Sequence, residues 1–118
     1  MRTYDLAWQH TRMLEDMMKR DRFDSLESEA LLTLARVHRL AAGVAGPLSD
    51  RTTASRVDQL REQASTMAPN DIKTNLENTT SALIRAFDAG DFLEAERHAL
   101  RVLIFAGAYS AVVAPSEP

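Results

Sequence analysis

Apolar residues recur along most of this chain at intervals of three and four, the spacing that keeps side chains on one face of an α-helix. From Thr3 to about Arg20 the stripe is Ala7, Thr11, Leu14 and Met17–Met18, widened by Trp8 and Met13. Thr3 is placed to accept a hydrogen bond from a free first-turn amide. After the charged run Lys19-Arg20-Asp21-Arg22, Asp24 stands three residues ahead of Glu27, the spacing of a capping box. Leu26, Ala30, Leu34, Val37, Ala41 and Val44, with Leu31 and Leu40 alongside, then mark the most regular amphipathic helix. Gly46-Pro47 stops it, because proline lacks the amide a helix needs and disfavours helical geometry in the residue before it.

Residues 48–53 read as a polar connection. The helix that follows, to about Ala68, has a narrow seam of Ala54, Val57, Leu60, Ala64 and Met67, which predicts a place at the edge of the fold. Pro69-Asn70 opens a fourth helix with Ile72, Leu76, Thr80, Leu83–Ile84 and Phe87 inward, and Gly90 is suited to the left-handed residue that ends it. Asp91 caps the fifth helix, with Glu94 at the capping-box distance and Phe92, Ala95 and Ala99 as its first apolar face. The thirteen residues from Val102 to Ala114 carry no charge. Within them Val102–Phe105 is β-prone, but its helical flanks favour helix.

These elements predict an all-α fold: a small bundle of about five helices joined by short loops, with mostly antiparallel neighbours. One domain is expected over 1–114, with a disordered tail at 115–118. A helix that is apolar all round must be covered all round. The last helix is therefore expected either at the centre of the bundle or at a dimer interface. Ala106, Ser110 and Ala114 form one row of small residues and Gly107 and Ala111 another, and each would let a second helix come close. Three or four large side chains left in water would forfeit about 1.5–3 kcal/mol each, a large share of a small domain's stability.

Composition narrows the chemistry. The chain has 118 residues, 45% hydrophobic, with a net charge of −3. That balance favours a packed core and argues against a general nucleic-acid binder. With no cysteine, disulfides, thiolate–zinc sites, iron–sulfur clusters and cysteine nucleophiles are all excluded. No apolar run reaches the length that spans a bilayer, and the expected location is the cytoplasm. Twelve arginines against two lysines suggest a GC-rich bacterial source. No cofactor or metal site is expected, since His10, His38 and His98 have no three- or four-ligand grouping around them by spacing, although Glu94 and His98 share a helix face.

Three short stretches resemble known families. His38-Arg39-Leu40-Ala41-Ala42-Gly43 and His98-Ala99-Leu100-Arg101-Val102 each resemble the histidine motif of histidine phosphotransfer domains, roughly His-x-Leu-Lys-Gly. The first has Ala41 at the lysine position and its glycine one residue late; the second has Val102 at the glycine position. Leu40-Ala41-Ala42-Gly43-Val44 followed by Thr53-Ala54-Ser55-Arg56-Val57 resembles the helix-turn-helix of bacterial repressors, which would place Arg51, Arg56 and Arg61 toward phosphate. Its connection is longer than the three- or four-residue turn of that motif. Ala89-Gly90-Asp91-Phe92-Leu93-Glu94-Ala95 is similar to the turn inside tetratricopeptide-type hairpins.

With no reaction centre legible, the expected function is non-enzymatic: a regulatory or inhibitory protein that binds another protein, of which an antiactivator sequestering a transcription factor is the leading form. A DNA-binding regulator and a degenerate histidine phosphotransfer domain are the alternatives. Tyr4, Trp8, Met13 and Met17 are the expected partner contacts, because aromatic residues and methionine are enriched in interface cores. Leu103, Phe105, Tyr109 and Val112 are the expected contacts of a homodimer.

Overall fold

The computed structural model describes residues 3–20, 25–45 and 50–113. Among them are five helices, α1 (Thr3–Lys19), α2 (Leu26–Ala45), α3 (Asp50–Ser65), α4 (Pro69–Asp88) and α5 (Phe92–Val113), and no strand. The β-prone segment Val102–Phe105 lies inside α5. The expected capping residue Asp24, the helix stop Gly46-Pro47 and the tail 115–118 lie outside the described residues. The third helix starts at Asp50, so it takes in much of the segment expected to be a polar connection.

Four helices form a ring in the order α1, α2, α5, α4, each packed on its two neighbours. Neighbours run antiparallel. His38 of α2 meets Glu96 of α5 while Glu27 lies over Gly107, so position along one helix rises as the other falls. The first turn of α1 packs on the last turn of α4, where the Tyr4 and Phe87 rings are 4.9 Å apart. In such a ring α2 and α4 run the same way, so the chain must travel back along the bundle between them. Helix α3 makes that return outside the ring, packed mainly against α5, as its narrow apolar seam predicts.

The core gathers the inward faces of all four ring helices, with Leu14, Leu26, Val37, Ile72, Leu76, Leu83, Phe87 and Val102 fully buried. On α2 the deepest positions are Leu26, Ala30, Thr33, Val37 and Ala41, whereas Leu34 is only half-buried. A hydroxyl is tolerated at the centre because Thr33 Oγ1 donates to the Glu29 carbonyl at 2.9 Å. The buried hydroxyls of Thr11 and Thr80 donate in the same way to Ala7 and Leu76. Each threonine thus meets its own helix's carbonyl and leaves no polar group unsatisfied.

The α4–α5 corner follows its local chemistry. Gly90 adopts φ +77, and its amide donates to the Phe87 carbonyl while the Asp91 amide donates to that of Ala86. Those two bonds make a Schellman ending, which needs a left-handed residue that only glycine occupies without strain. Asp91 Oδ1 then accepts the Glu94 amide at 3.2 Å, capping α5. Pro69 opens α4 at its first turn, where a missing amide costs nothing.

Candidate protein-binding surfaces

Helix α1 turns Ala7, Leu14 and Met18 into the core and leaves two separate flanks outside. A helix advances about 100° per residue, which puts Met13 and Met17 roughly 180° around α1 from Tyr4 and Trp8. The four expected contacts therefore do not form one patch. Tyr4 and Trp8 lie on the α4 side, 41% and 42% exposed. Tyr4 stacks on Phe87 and meets Phe92 edge-on at 6.1 Å. The Arg12 guanidinium sits 5.5 Å above the Trp8 ring and donates to Asp88 of α4 at 3.1 Å. Cation and ring attract each other, so Trp8 is held although half of its surface meets water. The methionine flank is on the α2 side, next to the His10–Glu29 pair. There Met13 is exposed, while Met17 is half-buried against the core.

The second surface is on the opposite side of the bundle, where α5 runs between α2 and α3. Up to Ala106 the inward face of this helix is enclosed: Val102, Ile104, Phe105 and Ala106 are all buried. Phe105, expected at a self-interface, is a core residue of its own chain because α5 carries it toward the ring interior. Beyond Ala106 the cover thins. Gly107 to Ser110 are half-exposed and Ala111 and Val112 exposed. Of the two rows of small residues, one is buried at Ala106 and half-exposed at Ser110, and its third member, Ala114, lies outside the described residues. The other, Gly107 and Ala111, lines a groove of about 910 Å³ between the α2 and α3 walls. Leu103 and Val112 line it too, and Tyr109 is half-buried against the core.

Two leucines lie on the outside of α2, although the spacing expectation set Leu31 alongside its apolar stripe. Leu31, on the groove wall, is 56% exposed, and Leu32 is exposed beside it. The signal for them is their position one and two residues past Ala30, off the inward stripe. The only charged residues lining the groove, among those described, are Glu27 on the α2 wall and Arg61 on the α3 wall. The Glu27 carboxylate lies so close over Gly107 that a Cβ there would sit 2.8 Å from Oε2.

Each of the three histidines is matched with a glutamate. His10 pairs with Glu29 and joins α1 to α2; His38 pairs with Glu96 and joins α2 to α5. His98 Nε2 lies 3.5 Å from a Glu94 oxygen one turn earlier, while its Nδ1 is buried without a hydrogen-bond partner. Burial pushes the His98 imidazole below its ordinary pKa. Glu94 opposes that shift, and Arg101 and Arg85 reinforce it. Among the described residues no three His, Asp or Glu side chains converge as metal ligands would. The side chains of Arg51 and Arg56, named for the helix-turn-helix resemblance, lie outside the described residues. Arg61 is exposed, on the groove side of α3.

Among the described residues no helix is long and apolar enough to cross a membrane. Comparison with protein families, with curated proteins and with solved structures finds no match to this chain.

Proposed function

We propose that this protein is a non-enzymatic regulator that acts in the bacterial cytoplasm by binding another protein, in the manner of an antiactivator that covers a transcription factor's working surface, and that it self-associates through the open end of α5. The observation that carries the binding reading is the pair Tyr4 and Trp8. Large rings half-exposed to water and already held, one by stacking and one beneath a guanidinium, lose little conformational freedom on binding. That economy is what favours aromatic anchors at interface hot spots. The self-association reading rests on the exposed apolar residues of the groove, Leu31 on α2 and Val112 at the uncharged end of α5.

The test is affinity capture from the native host, comparing the natural chain with Tyr4→Ala/Trp8→Ala and with Met13→Ala/Met17→Ala. A single protein enriched by the natural chain and lost with the aromatic double variant supports the reading and assigns the α4-side flank. Trp8 is the sole tryptophan, so adding the captured protein should shift the emission to the blue as water leaves the ring. Capture that is unaffected by both double variants rejects α1 as the binding surface, and emission that does not move rejects its Trp8 flank.

A further inference from the structure

The groove between α2 and α3 carries its own clue to its occupant. Apart from Glu27 and Arg61 its described lining is uncharged, from Leu31 on one wall to Val57 on the other, with Gly107 and Ala111 on the floor. Neither charged residue has an ion-pair partner among the described residues. They face the same end of the bundle: Glu27 is in the first turn of α2, opposite Gly107, and Arg61 is in the last turns of α3, which leads to the start of α4. One acid and one base on opposite walls toward one end of the groove make a pattern that complements itself. The chain's net charge of −3 would resist bringing two copies together elsewhere, but this strip is neutral.

We infer that the groove is the contact surface for a second copy of the chain, the two copies being related by a two-fold axis parallel to the groove, with Glu27 of each paired to Arg61 of the other. Such an axis sets each α2 wall against the partner's α3 wall, whereas an axis across the groove would set acid against acid. The contact is isologous and closes at two chains. It takes Leu31 and Val112, 56% and 47% exposed, out of water, and the small floor residues let the walls approach. This inference rests on the self-association proposed above and adds its face, its symmetry and its pairing.

The experiment is sedimentation equilibrium over a concentration series for the natural chain, Glu27→Arg, Arg61→Glu, the double reversal Glu27→Arg/Arg61→Glu, and Leu31→Asp, with far-ultraviolet circular dichroism confirming that each is folded. All three sites are exposed, so folding should survive. The expected result is a dimer whose dissociation constant rises about tenfold or more with each single reversal, falls back in the double reversal, and rises again with Leu31→Asp. A natural chain that stays monomeric overturns both the self-association and this interface. A dimer indifferent to every variant keeps the self-association and refutes the groove. Single reversals that weaken a dimer the double reversal fails to rescue refute the reciprocal pairing.

Discussion

The two halves of α5 differ little in hydrophobicity and greatly in fate. From Phe92 to Ala106 the helix lies in the ring, with α4 on one side and α2 on the other, and its inward face, Ala95, Ala99, Val102, Phe105 and Ala106, is enclosed. From Gly107 to Val112 the side chains shrink, the neighbours no longer meet over them, and the same apolar character becomes the floor and rim of a groove. Hydrophobicity says only that a residue prefers to leave water. Whether its own chain can take it out depends on how far the adjacent helices reach. In this bundle α3, with its narrow seam, covers one side of α5 incompletely.

Substitutions can break this contrast. The largest loss should come where α1, α4 and α5 meet: Phe87→Ala removes a ring that is 1% exposed, tilted against Tyr4 and edge-on to Phe92, and should cost about 3–5 kcal/mol in urea unfolding. Matched valines compare the halves of α5 directly. Val102→Ala, at a fully buried site, should cost about 2 kcal/mol. Val112→Ala should change the stability of the monomer by no more than about 0.5 kcal/mol. Equal losses at the two valines would mean that the helix is core throughout and that the groove is not open.

A smaller effect of opposite sign is expected at Gly107. Alanine is better than glycine in a helix interior by about 1 kcal/mol. The only obstruction to a Cβ here is the end of the flexible Glu27 side chain, which can swing toward water. Gly107→Ala should therefore raise the unfolding midpoint of the monomer, while any dimer formed through the groove weakens because its floor is raised. A lower midpoint would show that Glu27 is held over Gly107 and cannot move.

The mildest expectation concerns pH and the enclosed half of α5. Burial lowers the His98 pKa in the folded protein from the ordinary 6.5, so the unfolded chain takes up the proton first as pH falls. Stability is then complete above about pH 6.5 and declines as pH drops through that value toward the lowered folded pKa. The difference in urea midpoint between neutral and mildly acid pH should shrink in His98→Gln. An unchanged difference would mean that His98 is as hydrated as it is in the unfolded chain.

Much of the fold is legible from spacing and from a few residues with strict geometric duties. Gly90 and Asp91 mark the α4–α5 corner because their roles are local: one accepts a positive φ, and the other offers a carboxylate to the next helix's first turn. The candidate surfaces were less legible. Tyr4, Trp8, Met13 and Met17 are neighbours in sequence, yet the helical turn sends them to opposite flanks, and only the packing of α4 against one flank and α2 against the other says what each meets. Phe105 and Val112 lie seven residues apart in the same uncharged run and share a face of α5, but the neighbouring helices enclose only the first. The histidine–glutamate pairs His10–Glu29 and His38–Glu96 join residues 19 and 58 positions apart, a distance at which periodicity carries no information.

The order of apolar and polar residues was enough to set five helices, their corner at Gly90 and the outlying position of α3, because those features depend on hydrogen bonds and side-chain spacing within a few residues of chain. Which leucines stay wet, which row of small residues faces a groove, and which acid meets which base were decided only when the helices came together. Those outcomes depend on the shape of the space left between neighbours, and no single helix contains it.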